Sequence, residues 1–267
     1  VTTNAQERFA PRFVGTVHLL PLPGSARGGG AADLAAILDR ARRDAAAYAE
    51  GGADALIVEN FGDVPFARDR VASHVVAAMT LAVAAVREEA GLPVGVNVLR
   101  NDVLSAVAIA AMAGGRFVRA NVYVGAAVTD QGLIEGRADE VQALIRQLGA
   151  GVVVWADVDV KHAAPLAARP VADLAEDAVE RGLAAAVIVT GRATGQAATD
   201  ADLHLVRTAV PGTPVYVGSG VTAETVGQLL RIADGVIVGT AAKVDGVVAN
   251  AVDIDRVRTI AQAVLTS

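Results

Sequence analysis

Along "VVVWADVDVKH", Asp157, Asp159 and Lys161 occupy alternate positions, with Ala156, Val158 and Val160 filling the others. Strand side chains alternate between two faces, so this spacing gathers three charges on one side and apolar residues on the other. The same rule in "RFVRANVYV" groups Arg119, Asn121 and Tyr123 against Val118, Ala120 and Val122. Thr16 and His18 share a phase in "GTVHLL", Glu59 closes "ALIVE", Asn97 sits in "VGVN", and Thr190 ends "VIVT". Carboxylates beside a lysine and an imidazole are the groups of proton transfer, where acid and base need environments that separate their pKa values. Lys161 could instead form a Schiff base with a carbonyl, but Asp159 beside it would keep the amine charged. The bland alternative is a structural ion-pair network, Arg119 with Asp157 for example, because buried charges must be paired, ligated or solvated.

The four histidines divide. His74 and His204 fall in helical stretches and read as surface residues. His18 ends a strand and His162 follows Lys161, so either could act as acid, base or hydrogen-bond partner. Glu59, Asp157, Asp159 and His18 are the groups that could hold a divalent metal, yet no HxH or HExxH spacing supports one, and no cofactor is expected.

Near the C-terminal end, "VYVGSGVTAET" and "DGVIVGTAAK" each run from a short apolar strand into small residues. A phosphate needs converging N–H donors and close backbone approach, which glycine permits. Gly218, Ser219 and Gly220, followed by a helix whose first amides favour an anion, and Gly239 and Thr240, with Lys243 a little further on, are the expected cradle. The competing explanation is that these glycines only allow tight strand-to-helix turns.

Elements must position these residues. Eight β-branched runs alternate with Ala-rich helical stretches: "RFVGTVHLL", "ADALIVEN", "LPVGVNVLR", "GRFVRANVYV", "GVVVWADVDV", "AAAVIVTG", "TPVYVGSG" and "DGVIVGT". Helices are expected over 33–50, 71–89, 135–148 and 171–181, with a last one capped by Asp253. Glycine stops are expected in "EGGAD", "REEAGLPV", "AMAGGRF" and "VERGLAAA". Strand–helix alternation over 267 residues predicts α/β architecture, a single (β/α)8 TIM barrel in one domain over 1–267 with 1–12 as an N-terminal tail. A doubly wound sheet would carry its dinucleotide fingerprint after the first strand, where this chain has "HLLPLPGSARGGG". Its Gly-rich part reads as a mobile loop over the active face. The phosphate turns then follow strands seven and eight, the pair that phosphate-binding barrels use, and the charged residues lie at strand C-terminal ends.

Composition narrows the partners. Hydrophobic residues make up 53% and charged ones 19%, enough for a large core. With 23 basic and 29 acidic residues the net charge is −6, which argues against nucleic acid or an anionic membrane as the main partner. The absence of cysteine removes disulfides and thiol catalysis, and is compatible with a cytoplasmic setting. No apolar run reaches membrane-spanning length and the N-terminus lacks a signal-peptide layout, so no integral membrane segment is expected. The expected partner is a phosphorylated small molecule, with self-association into a homo-oligomer left open.

With those residues in place, the chain resembles the BtpA/SgcQ family, grouped with ribulose-phosphate-binding-like barrels. The blocks that carry the likeness are "VHLLPLPGS", "VENFGDVPF", "GVNVLRND", "VRANVYVGAAVTDQGLIEG", "ADVDVKHAAPL", "VIVTGRATG", "VGSGVT" and "GVIVGTAAKVDGVVANAVD". Ala251 stands where the family pattern has proline. The resemblance implies a TIM barrel over nearly the whole chain. Its name comes from a role in photosystem I biogenesis, while other members look like metabolic enzymes of sugar use. The expected activity is acid/base chemistry on a phosphorylated sugar or nucleotide-like metabolite, of isomerase, epimerase or lyase type. In it Asp157, Asp159, Lys161, His18 and Glu59 would be catalytic. Asn97, Arg119, Asn121, Thr190, Gly218, Ser219, Gly220, Gly239 and Thr240 would bind substrate. The alternatives are a non-catalytic biogenesis or scaffolding factor and an enzyme of nucleoside or nucleotide glycosidic-bond cleavage.

Overall fold

The computed structural model describes residues 9–158, 163–167, 169–191 and 198–267. Asp159, Lys161 and His162 lie outside the described residues. In chain order the elements are β1 (Phe13–His18), α1 (Leu34–Gly51), β2 (Ala55–Glu59), α2 (Ser73–Ala90), β3 (Val94–Asn97), α3 (Val103–Ala113) and β4 (Phe117–Ala120). Next come β5 (Ala126–Thr129), β6 (Gly132–Glu135), α4 (Ala138–Leu148), β7 (Val153–Val158), β8 (Ala163–Pro165) and α5 (Val171–Glu176). The last are β9 (Ala186–Val189), α6 (Asp200–Ala209), β10 (Val215–Val217), α7 (Val226–Leu229), β11 (Gly235–Val238) and α8 (Ile254–Leu265).

The strands β1, β2, β3, β4, β7, β9, β10 and β11 pair in parallel and close into a barrel, with β11 returning to β1. All eight correspond to runs expected from the sequence. Their outward faces form the main core against the helices, as a parallel sheet buried on both sides requires. Inward, the pattern changes with height. Phe117, Trp155 and Tyr216 stack at 4.0 and 4.2 Å between ring centroids and close the lower end. Phe9 packs beneath them, 5.8 Å from the Phe117 ring, so the end of the expected tail is part of the floor. Ile57, Ile188 and Ile237 belong to the same inner cluster. Two residues further along the positions turn polar or, after β10 and β11, to glycine, which is where the site begins.

Helices α1, α2, α3 and α4 end at Gly52, Gly91, Gly114 and Gly149, each with positive φ. The fourth expected stop, Gly182, differs. A π-helical turn over Asp177–Arg181 inserts one extra residue, Gly182 stays right-handed at φ −84°, and Leu183 takes φ 58° instead. Glycine is required at 182 for space: a Cβ there would come within 2.7 Å of the Ala178 carbonyl and the Tyr123 ring.

Tyr123 itself corrects the expected inward grouping with Arg119 and Asn121. The strand ends at Ala120, the alternation lapses, and Tyr123 turns outward to donate to the Gly182 carbonyl at 2.5 Å. The segment after it forms a feature that alternation did not indicate, an antiparallel sheet of β5, β6 and β8 standing above the barrel. The segment "GSARGGG" forms hydrogen-bonded turns, Ser25 to Leu22 and Gly28 to Ser25. It supplies no residue to the wall of the central cavity among the described residues. No helix among the described residues is long and apolar enough to cross a membrane.

Candidate active site

A cavity of about 1020 Å³ opens at the C-terminal ends of the barrel strands. Thr16, His18, Glu59, Asn97, Arg119, Asn121, Asp157 and Thr190 all line it, as do Gly218, Ser219, Gly220, Gly239 and Thr240. Apart from Lys243, every predicted site residue that the structure describes therefore meets in one space, and the inward register expected for Arg119 and Asp157 holds. Parity explains this: in every barrel strand but β3, where Gly95 takes the place, a site residue sits two positions beyond an inner-cluster side chain, as Glu59 follows Ile57 and Thr190 follows Ile188.

Arg119 is the centre of the polar layer. Its Nε lies 3.1 and 3.2 Å from the two Asp157 carboxylate oxygens, and its Nη1 lies 3.4 Å from Glu59 Oε1. Asn121 donates to Asp157 at 2.5 Å and Asn97 donates to Glu59 at 3.0 Å. Burial raises the Asp157 pKa, and the Arg119 charge and the Asn121 amide oppose that rise without cancelling it. Burial also works against the Arg119 charge, but the two carboxylates outweigh it and hold the guanidinium above its ordinary range.

His18 packs its ring on Phe61, with centroids 4.6 Å apart, and its Nε2 lies 3.8 Å from Glu59 Oε2. Burial, then the Lys243 and Arg119 charges, lower its pKa to about 3. The imidazole is neutral at physiological pH and donates from one nitrogen while accepting at the other. Its Nδ1 is buried with no hydrogen-bond partner among the described residues, and the same holds for Asn121 Oδ1. Two buried polar atoms left unpaired beside one cavity are where a bound molecule or water would supply the missing bonds.

The anion cradle is only partly as expected. The Gly218 amide donates to the Val189 carbonyl at 2.9 Å and is occupied. The Ser219 hydroxyl accepts from the Gly191 amide. The amides of Gly220, Gly239 and Thr240 have no protein acceptor among the described residues and border the cavity. The helix expected to begin right after Gly220 is instead four residues long and starts at Val226, because Thr222 and Thr225 first close a turn on each other. No helix terminus therefore contributes at that point. Glycine at 239 also makes room for the His18 ring, since a Cβ there would lie 2.7 Å from His18 Cε1.

Lys243 does not reach the cradle. It has no exposed surface and pairs with Asp44 of α1 at 2.9 Å. Asp44 also takes Arg40 Nε at 3.0 Å and the Val252 amide at 2.9 Å. The pair thus pins the loop that follows β11, and with it Gly239 and Thr240, onto α1. Sequence reasoning missed Asp44, which falls within the helix expected over 33–50.

Also missed were Phe61, Phe66 and Arg100, which line the cavity from loops where no periodicity marks them. The signal available was the block "ENFGD". Asn60 clasps the β3 loop, with Leu99 N donating to Asn60 Oδ1 at 2.7 Å, and Asp63 clasps the β1 loop through Leu22 N at 2.8 Å. Those two buried side chains hold Phe61 over His18. No cluster of three His, Asp or Glu side chains suited to a metal ion occurs among the described residues.

The sequence profile of the BtpA family matches residues 10–266. The chain belongs to the BtpA family. It is 48% identical over 250 residues to the photosystem I biogenesis protein BtpA of Synechocystis, covering 94% of this chain and 86% of that protein. An uncharacterized protein of Pyrococcus furiosus is 45% identical over 248 residues, covering 93% and 92%. Among solved structures, N-(5'-phosphoribosyl)anthranilate isomerase from Pyrococcus furiosus superposes with a TM-score of 0.59 at 14% identity, covering 96% of this chain and 100% of that one. (S)-3-O-geranylgeranylglyceryl phosphate synthase from Thermoplasma acidophilum, in complex with its substrate sn-glycerol-1-phosphate, gives 0.59 at 14% identity over 96% and 94%. At such identities the likeness is one of fold: these are TIM-barrel enzymes, and the BtpA-family chain shares their barrel.

Proposed function

We propose that this BtpA-family protein is an enzyme acting on a phosphorylated sugar or nucleotide-like metabolite by proton transfer, of isomerase, epimerase or lyase type. The observation that carries the reading is the meeting, in one cavity, of two kinds of group. One is the unpaired amides of Gly220, Gly239 and Thr240 after the seventh and eighth barrel strands. The other is the buried layer of His18, Glu59, Arg119 and Asp157. Free amides at those strand ends are the groups that seat a phosphate in barrels of this kind. The solved neighbours that act on phosphorylated compounds support the same reading.

With the phosphate held there, the rest of the substrate extends over the polar layer. Asp157, its pKa raised by burial, exchanges the proton. Neutral His18 hydrogen-bonds a carbonyl or hydroxyl and stabilises charge that develops on it. Arg119, Asn97 and Asn121 fix the carboxylates, and Thr190 orients a hydroxyl.

The test is direct. Inorganic phosphate and a panel of sugar phosphates are titrated calorimetrically, and binders are incubated in D2O to look for exchange of a carbon-bound proton. Gly220→Val should abolish phosphate binding, and Asp157→Asn should slow exchange by about 10²–10⁴-fold. Retained binding in the first variant removes the cradle, and unchanged exchange in the second removes Asp157 from the chemistry.

A second reading, a non-catalytic platform, is favoured by the name of the Synechocystis relative. It predicts a tight protein partner and no small-molecule binding, the opposite outcome in the same titrations. A platform has no use for a deep open mouth lined by unpaired polar atoms, which is why the enzyme is preferred.

A further inference from the structure

The cavity does not end at the cradle. Beyond Gly220 and Thr240 it continues into a cleft between the turn at Val221–Glu224 and helix α8, walled by Val221, Val248 and Ile260 and edged by Thr259 and Arg256. The Arg256 guanidinium is fixed beside the cradle, its Nη1 donating to the Ala241 carbonyl at 3.2 Å, one residue from the Thr240 amide. The amides thus stand between two chambers of different character. The inner one sets the Glu59 and Asp157 carboxylates against the Arg119 and Arg100 guanidiniums. The outer one offers apolar walls and the Arg256 cation, with the Glu224 and Asp245 carboxylates at its border. A volume of about 1020 Å³ lies at the upper end of the range for small-molecule pockets, more than a single phosphorylated monosaccharide fills.

Resting on the phosphate reading above, we infer that the substrate is a phosphate substituted on both sides, a phosphodiester or diphosphate whose second substituent lies in the cleft along α8. Its inner group meets His18, Glu59 and Asp157. Its phosphoryl oxygens take the Gly220, Gly239 and Thr240 amides, with Arg256 facing the charge on the outer side. A terminal phosphomonoester would leave the outer cleft unused.

Ribose 5-phosphate and ADP-ribose provide the comparison, because the second is the first extended past its phosphate. Titration of both, with inorganic phosphate as reference, should show ADP-ribose binding at least tenfold tighter than ribose 5-phosphate. Thr259→Trp is exposed on α8 and fills the cleft without touching the core. It should remove that advantage while leaving inorganic phosphate and ribose 5-phosphate unchanged, and Arg256→Ala should reduce it several-fold. Equal affinity for the two ribosyl ligands, or a Thr259→Trp effect shared by all three, overturns the inference and leaves the proposed function standing. Failure of inorganic phosphate itself to bind overturns both.

Discussion

Arg119 turns its Nε to both oxygens of Asp157, at 3.1 and 3.2 Å, in a layer where neither side chain is more than 12% exposed. That single N–H is shared between the two oxygens, Asn121 adds a second donor, and Nη1 reaches Glu59, so the arrangement is worth most as a condition for keeping the carboxylates buried at all.

Removing the guanidinium should therefore be costly. Arg119→Met leaves Glu59 and Asp157 as two buried like charges, and breaking a buried pair costs about 3–5 kcal/mol. Urea unfolding should show this as a lower midpoint at unchanged slope. The loss should be smaller in acid: burial already raises the Asp157 pKa, so the folded state binds more protons than the unfolded one above the ordinary carboxylate range. Stability from this group thus falls as pH rises through that window, and more steeply once the cation is gone. A variant as stable as the parent at neutral pH would show that the carboxylates are hydrated.

His18 carries the opposite sign. Its folded pKa of about 3 lies below the unfolded value of 6.5, so the unfolded chain binds the extra proton between them. Stability from the neutral imidazole is complete above pH 6.5 and is lost as the pH falls toward 3, at a slope approaching about 1.4 kcal/mol per pH unit. Replacing it by glutamine should flatten that part of the profile. An unchanged slope in His18→Gln would mean that the imidazole titrates near its ordinary value.

These three residues were readable from the sequence because strand alternation is a local rule, and Arg119, Asp157 and His18 sit within or at the ends of long β-branched runs. Lys243 was misread for the converse reason. Its partner Asp44 is 199 positions away, on a helix where an aspartate ordinarily faces water. The small sheet was not legible either: β5 and β6 have four residues each, and β8 joins them from beyond β7. Pairing over such distances leaves no periodic trace. The glycine turns were visible, but not which amides they free, since Gly218 spends its N–H on Val189 while Gly220 and Gly239 do not.

The Asp44–Lys243 pair should act on binding as well as on stability. Lys243→Met uncovers a carboxylate that is 1% exposed, still held by Arg40 and the Val252 amide, and the loss should again be about 3–5 kcal/mol. Because the pair anchors the loop after β11, phosphate affinity should fall in parallel under conditions where the variant is folded. The single tryptophan, Trp155, is buried between Phe117 and Tyr216 at the far end of the barrel and reports folding independently of the loop. Weakened phosphate binding with an unchanged tryptophan spectrum is the expected pattern, and intact binding would separate the anchor from the cradle.

Gly239 links the cradle to His18, and alanine at that position tests the link. The added methyl would lie 2.7 Å from His18 Cε1 and 3.2 Å from Nε2, too close for either to stay in place. Overpacking of this kind costs about 1–3 kcal/mol. The ring is also held by Phe61 and faces Glu59, so displacing it should disturb the buried polar layer without changing any of its other residues. A double-mutant cycle isolates the contact. If steric conflict with the imidazole is the cause, Gly239→Ala should be destabilising in the parent and nearly neutral in a His18→Ala background, giving a coupling of 1 kcal/mol or more, within the range of about 0.5–3 for residues in contact. Additive effects would mean that the methyl is accommodated by movement of the β11 end, and the closeness of His18 to the Gly239 turn would then have no energetic consequence.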